Sequence, residues 1–460
     1  MKVLGKECNH FEPFKYKSFT QLKRKLSELN LDLSFSEDFT IFRRPLSIGN
    51  KTLPNRLAIQ PMEGFDAKRD GSPSFLTVRR YARYAKGGAG LIWCEANSIS
   101  EGYRSNRHQL AIHNENVDEY RSFVSHIKKI SKNTLEHLGS SRQCLLILQL
   151  NHSGRYCKKE GKKYPVRAYH NNQLDEAINV SKRDGKIISD TELKQLEEKW
   201  VERALLARDA GFDGVDIKAC HGYLISELLS ARERKDSLYG GYNLANRTRF
   251  FLNIIKKLEN HLSETEDFII TTRLGIYDGV PYPNGFGVAA TSGEKFAASI
   301  DLTEPIKLIK ELNNLGIRLI NISAGNPHYK PHITRPYDIP VKGAKIPSEH
   351  PLCGVYRLIK MTAKIKTSIP EEIKIVGSGY SYLRQFSPYI CAELIKNNEV
   401  DICGFGRMAF ANPEFPRQIF QQHEINPKRV CVGCSQCSQL MKNGKSTGCV
   451  IRDAAYEMKD

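Results

Sequence analysis

The sequence predicts a closed (β/α)8 TIM barrel, and three observations carry that expectation. Eight short apolar runs recur along the chain, each followed by a helical pattern. The runs are continuous rather than alternating, which is how parallel strands buried on both faces read. The polar residues best suited to chemistry gather at the ends of these runs, the face on which barrel enzymes assemble their sites. Strand–helix alternation also permits a doubly wound open sheet, which stands as the alternative.

The first run, "RLAIQP" (56–61), precedes a helix near 73–86, and "AGLIWCEA" (89–96) precedes one near 117–132. The third, "CLLILQL" (144–150), leads after a long polar excursion into "SDTELKQLEEKWVERALLARDAG". There Ser189 and Glu192 have the spacing of a capping box, and Gly211 offers a left-handed stop with no Cβ penalty. "GVDIKAC" (214–220), "FIITTRL" (268–274), "RLINISA" (318–324), "IKIVGSG" (373–379) and "DICGFGR" (401–407) complete the series. The long segments after strands three, five and six (151–188, 275–303 and 325–349) fall on the C-terminal face. Residues 1–45 form an N-terminal extension, with Leu22, Leu26, Leu29 and Leu33 expected on one helical face packed against the barrel. The barrel itself is expected over 46–425, followed by a four-cysteine segment over 426–460.

A chain of 460 residues suffices for one barrel with insertions. With 69 Lys and Arg against 51 Asp and Glu, the formal charge is +18. That suits a Lys-rich solvated surface, an anionic substrate, an acidic protein partner or nucleic acid. The opening "MKVLGKECNHFEPFKY" lacks the apolar core of a signal peptide, and no window approaches a membrane span. A cytoplasmic location is therefore expected, with the twelve cysteines as thiols or metal ligands rather than disulfides.

"NRLAIQPMEGF", "QLNHSGR", "GFDGVDIKACHGYLISELLSARERKDSLYGGYNLANRTRF", "RLGIYDG" and "DICGFGRMAFANPEFP" resemble, in order over about residues 46–420, the signatures of Old Yellow Enzyme-type NAD(P)H:flavin oxidoreductases. The resemblance implies FMN, held non-covalently in the barrel mouth. It assigns Gln149 to the flavin pyrimidine and Arg273 to the edge carrying N1 and O2, where a fixed cation stabilises the anionic reduced ring. Pro61, Met62, Glu63 and Ala96 fall around the ring. Gly377, Gly379, Gly406 and Arg407 end strands seven and eight, where barrels hold a phosphate. Many relatives carry Thr or Cys where Glu63 stands. A carboxylate there opposes an anionic flavin, so Glu63 is expected to pair with a nearby Lys or Arg.

"KACHGY" follows strand four. By the same resemblance Tyr223 is the proton donor, His221 holds the substrate oxygen, and Lys218 stands where a second such residue, usually His, is found. Reduction of an activated C=C bond asks for these types. Hydride reaches the β-carbon of a polarised alkene, charge builds on the carbonyl oxygen, and a donor protonates the α-carbon. The expected substrate is an α,β-unsaturated carbonyl, acid or thioester. A lysine there suits a substrate with its own carboxylate. The plainer readings are a strand-end ion pair for Lys218 and a packed ring for Tyr223.

Cys431, Cys434, Cys437 and Cys449 make C-x2-C-x2-C-x11-C. Thiolates this close suit one metal centre, iron–sulfur or zinc by spacing alone. The pattern resembles, with one gap a residue different, the [4Fe–4S] motifs of the dienoyl-CoA reductase and trimethylamine dehydrogenase barrels, which favours iron–sulfur. Those relatives continue into a second nucleotide-binding half that is not found here. The tail is therefore expected to be an electron port, reduced by an acidic one-electron donor of ferredoxin or flavodoxin type. The alternative is direct reduction of FMN by NADH or NADPH. Oxidative demethylation by an FMN/iron–sulfur amine dehydrogenase is the other enzymatic reading, and needs an aromatic cage for the cation. tRNA dihydrouridine synthesis is disfavoured, because strand three runs into "NHSGRYC" and no basic helical RNA module follows. Neither a nucleic-acid nor a membrane partner is expected.

Overall fold

Leu91–Ser98 and Leu145–Asn151 are buried along their whole lengths, as continuous apolar runs require of strands covered on both faces. The computed structural model describes residues 5–262, 267–290 and 299–457. Its eight parallel strands are β1 (Leu57–Ile59), β2 (Leu91–Ser98), β3 (Leu145–Asn151), β4 (Gly214–Ile217), β5 (Ile269–Gly275), β6 (Leu319–Ser323), β7 (Lys374–Gly377) and β8 (Ile402–Phe405). Each pairs with the next and β8 pairs with β1, so the sheet closes and the open-sheet alternative falls.

A helix follows each strand: α1 (Phe75–Gly87), α2 (Val117–His137), α3 (Asp190–Asp209), α4 (Leu244–His261), α5 (Thr303–Asn314), α6 (Pro351–Lys366), α7 (Ser387–Lys396) and α8 (Phe415–Gln422). Local chemistry fixes their ends. Ser189 and Glu192 form the expected reciprocal capping box on α3, and Gly211 takes φ +89° just beyond its end. Asn243 caps α4, whose Arg247 and Arg249 are spent on local contacts.

The antiparallel pair Leu46–Ile48 and Lys51–Leu53 plugs the N-terminal end of the barrel. Leu46, Ile48 and Leu53 pack there with Ala58, Leu91, Trp93 and Ile147. That end is a closed apolar core, which leaves the C-terminal end for polar work. Of the long C-terminal segments, 151–188 folds into two small ladders and a helix, Asn172–Ala177. Residues 325–349 carry one short helix, Pro331–Thr334. Part of 275–303, namely 291–298, lies outside the described residues.

Two expectations about the N-terminal extension change. The helix Phe19–Glu28 buries Leu22 and Leu26, but Leu29 is already its cap and Asn30 turns the chain at φ 52°. Asn accepts that conformation better than most residues, so Leu33 lies beyond the helix, though it is still buried. Cys8 and Cys353 form a disulfide with Cα atoms 5.9 Å apart, so the expectation of free thiols and metal ligands alone is wrong. The extension folds back onto the start of α6, where the His350 N–H donates to Cys8 O, and this brings the two sulfurs together. Among the described residues, no helix is long and apolar enough to cross a membrane.

Candidate active site

Asp216 on β4 organises the barrel mouth. Its Oδ2 accepts from Gln149 Nε2 on β3 at 2.6 Å and from Trp93 Nε1 on β2 at 2.8 Å, and its Oδ1 accepts the backbone N–H of Arg273 on β5 at 2.7 Å. Burial pushes its carboxyl up to about 6 against the pull of those three donors. This bond turns the Gln149 amide nitrogen toward Asp216, which leaves its carbonyl oxygen to accept from a ligand N–H. Arg273 is 8% exposed, and its buried Nε has no partner among the described residues.

"KACHGY" leaves β4 as a strained turn. His221 takes φ +66° and Gly222 +73°, and a Cβ on Gly222 would clash with Asn326 and with Tyr156 Oη. The turn directs Lys218, His221 and Tyr223 to one side of the mouth. Lys218 Nζ stands 3.8 Å from the centroid of the Tyr223 ring. His221 Nε2 lies 2.7 Å from Ser323 Oγ at the end of β6. Burial, then the Arg273 and Lys218 charges, hold His221 well below its usual range, so the ring is neutral. Burial and then Glu63 hold the Tyr223 hydroxyl well above its usual range, so it keeps its proton.

Glu63 meets the same group. Its carboxylate accepts from Ser105 Oγ at 3.4 Å and from the Tyr223 hydroxyl, and it faces the Lys218 charge. Among the described residues Glu63 makes no direct ion pair, and the cation whose charge acts on it is Lys218. Burial raises the Glu63 carboxyl and lowers Lys218, and each counters the shift in the other. Neighbouring Gly64 donates its N–H to Glu95, which with Asp66 clamps the buried Arg80 guanidinium. That buried network fixes the backbone bearing Pro61, Met62 and Glu63. Ala96 lies where β2 shifts register against β3, between Cys94 and Asn97.

At the ends of β7 and β8 the backbone itself comes close. Gly379 takes φ +98°, a Cβ on Gly377 would run into Tyr380, and one on Gly406 would lie 2.7 Å from Met62 Sδ. Arg407 is buried and donates to Pro336 O, and its Nη1 and that of Arg335 have no partner among the described residues. A cradle of glycines beside two buried guanidinium groups is chemistry for an anion.

Motif reading missed two residues. Asn151, at the end of β3, is fully buried with both amide atoms unpartnered. It sat in view within "QLNHSGR", but buried orphan atoms leave no mark on a sequence. His328, in the loop after β6, stacks on Tyr156 with centroids 3.8 Å apart and meets the Tyr223 ring edge-on. Only the length of that loop hinted at it.

Cys431, Cys434, Cys437 and Cys449 line one pocket together with Arg407. The Gly433 N–H points at the Cys431 sulfur, and those of Ile451 and Arg452 at Cys449. Among the described residues, no three His, Cys, Asp or Glu side chains converge as ligands of a single ion. The tail also closes on the mouth, since the Thr447 N–H donates to Gly64 O at 2.6 Å.

A sequence profile of the NADH:flavin oxidoreductase / NADH oxidase family matches residues 40–379. An NADH oxidase of Thermoanaerobacter brockii is 24% identical over 84% of this chain and 52% of its own length. An NADPH dehydrogenase of Clostridium acetobutylicum is 25% identical over 83% of this chain and 94% of its own length. A 2-naphthoyl-CoA reductase solved with 2-naphthoyl-CoA superposes with a TM-score of 0.66 at 17% identity, over 90% of this chain and 57% of the other. The chain thus spans about half the length of the NADH oxidase and nearly all of the NADPH dehydrogenase. Flavin and NAD(P)H are the cofactors of this family. The orphaned Arg273 Nε, the Gln149 carbonyl and the glycine cradle beside Arg407 fit a flavin mononucleotide. On the extent of that profile match, the chain is an enzyme of the NADH:flavin oxidoreductase / NADH oxidase family.

Proposed function

We propose that the protein reduces an activated C=C bond conjugated to a carbonyl, carboxyl or thioester group. The observation that supports this most is the meeting of Lys218 with the Tyr223 ring, and of His221 with the end of β6, beside the buried Arg273 whose charge His221 and Lys218 both feel. Bound FMN, reduced by its donor, would supply the hydride that goes to the β-carbon. Gln149, Arg273, Pro61, Met62 and Ala96 would hold the ring, with Gly377, Gly379, Gly406 and Arg407 on its phosphate. Lys218 and His221 hold the substrate oxygen, where negative charge grows as the alkene is attacked. Tyr223 keeps its proton at neutral pH and gives it to the α-carbon. Glu63, bonded to the same hydroxyl, orients that donor.

The substitution Tyr223→Phe tests the assignment. Alkene reduction should slow about 100-fold or more, while reduction of the flavin by its donor keeps its rate. Equal losses in both half-reactions would remove Tyr223 as the proton donor. Amine oxidation is less well supported. The Tyr223 face that a substrate ammonium would need is covered by the Lys218 cation at 3.8 Å.

For the tail we propose a [4Fe–4S] cluster on Cys431, Cys434, Cys437 and Cys449. Support comes from the shared pocket, from backbone N–H groups aimed at two of the sulfurs, and from the buried Arg407 and Arg335 beside it. A tetrahedral zinc, about 2.3 Å from every thiolate, needs the sulfurs drawn onto one point. Arg407 both lines this pocket and follows Gly406 just beyond β8, so the two cofactors would share a wall. An acidic one-electron donor protein is the partner this arrangement and the net charge favour, with NADH or NADPH as the alternative donor.

A further inference from the structure

The C-terminal face carries a second cavity, of about 690 Å³, that no step above uses. Its walls include Arg69, Tyr103, Arg104, Arg107, Lys158 and Lys159. These residues follow three different strands: β1 supplies Arg69, β2 the stretch 103–107, and β3 the small ladder that begins at Lys158. The backbone ties the pieces together. The Lys158 N–H donates to Arg104 O at 2.8 Å, Arg104 Nη1 to Arg69 O at 2.9 Å, and Arg107 Nη2 to Glu160 O at 3.3 Å.

Four of the cationic side chains in this wall, Arg69, Arg107, Lys158 and Lys159, stand together with one carboxylate of the wall, Glu160, an arrangement of like charges that repel one another. Among the described residues, none of Arg69, Arg107, Lys158 and Lys159 is ion-paired with a carboxylate. A concave wall of one sign concentrates ligands of the other. The volume is that of a cavity for a whole small-molecule group, larger than a single phosphate needs. Tyr103 adds a half-exposed ring at the rim, stacked on Tyr164 with centroids 6.1 Å apart, and brings a further cation near, the Lys186 ammonium 5.8 Å from its centroid.

This cavity adjoins the reactive group. Ser105 follows Arg104 directly, and its Oγ is 3.4 Å from the Glu63 carboxylate that meets the Tyr223 hydroxyl. We propose that it binds the phosphorylated adenosine diphosphate tail of a molecule whose other end reaches Tyr223. Two sources share that chemistry: an unsaturated coenzyme A thioester, as substrate, and NADPH, as donor. Only the identity of the reacting end rests on the reductase reading; the cavity's affinity for the tail does not.

The test uses the full-length holoenzyme and two probes, adenosine 3′,5′-bisphosphate and adenosine 2′,5′-bisphosphate, with binding followed by calorimetry. At least one should bind saturably, more weakly as salt is raised from 50 to 500 mM. Arg107→Glu with Lys159→Glu should weaken it 10-fold or more, and Arg107→Gln with Lys159→Gln by less. The neutral pair, checked for flavin content, guards against a charge reversal that disturbs folding. Kinetics separate the sources. If the tail belongs to a thioester, kcat/KM for crotonyl-CoA relative to crotonyl-N-acetylcysteamine falls 10-fold or more in the variants. If it belongs to NADPH, the preference for NADPH over NADH falls instead. Absent binding of both probes, or affinities unmoved in both variants, overturns the proposal. Probe binding lost in the variants, with no alkene reduced by the parent enzyme, keeps the cavity assignment and removes the reductase reading. Alkene reduction without any probe binding does the reverse.

Discussion

Glu63 and Lys218 set each other's charge, and that makes the pair legible in a pH profile. Burial disfavours the ammonium of Lys218, and the Glu63 carboxylate restores it. Lys218 loses its proton as pH rises through its pKa, so the alkaline limb of kcat/KM reports that step. Glu63→Gln removes the supporting charge, lowers the lysine's pKa, and should move the limb to lower pH. A limb that stays in place would mean the lysine charge does not hold the substrate oxygen. Asn151 calls for a second test. Truncation to Ala removes both of its orphaned amide atoms. If they face the flavin, the variant should fold but lose FMN on dilution about 10-fold more readily, by fluorescence of the released flavin. At this scale the sequence spoke through motifs. Lys218, His221 and Tyr223 were readable because their spacing in "KACHGY" is local. Asn151 and His328 were not, because an unpaired amide and a stacked imidazole are properties of neighbours brought from elsewhere in the chain.

Between elements, one carboxylate links four adjacent strands. Asp216 on β4 takes hydrogen bonds from β2, β3 and β5. An Asn in its place turns an N–H2 toward N–H donors and leaves at least one buried donor unpaired. Asp216→Asn should therefore cost about 2 kcal/mol of stability, measured by denaturant unfolding, and loosen the Gln149 amide. All eight strands and their helices could be read from the sequence, because a strand buried on both faces must be written in continuous apolar residues. Burial periodicity carried less at the extension. Leu22, Leu26, Leu29 and Leu33 are all buried at helical spacing, yet the helix stops at Glu28, and apolar spacing cannot reveal a chain that leaves the helix and keeps packing. The Cys8–Cys353 pairing spans 345 residues, so no local pattern could announce it. Cys8→Ser should lower the unfolding midpoint of oxidised protein, by about 2–4 kcal/mol in stability, and leave reduced protein unchanged.

At the scale of the molecule, the tail is fastened to the mouth it would serve. Thr447 bonds to Gly64, next to Glu63, and Asp453 pairs with Arg79 and Arg83 on α1. Arg407 reaches both the cysteine pocket and the glycine cradle. A metal centre bound by four thiolates contributes its binding free energy to the folding of the segment that supplies them. Loss of the centre should therefore be felt at Glu63. Protein purified without air is expected to carry about four irons and four sulfides per chain beside its flavin. Cys434→Ser should lose the iron, lower the unfolding midpoint and slow alkene reduction even when dithionite has reduced the flavin. The last effect separates a structural link from an electron port, because dithionite bypasses any protein donor. Full activity with dithionite, together with lost activity with an acidic donor protein, would make electron delivery the whole role of the tail. With a net charge of +18, the donor-driven rate should also fall as salt is raised, while the dithionite-driven rate falls far less. Zinc in place of iron, with rapid reduction by NADH, would instead leave the segment as a staple holding the loop that carries Glu63.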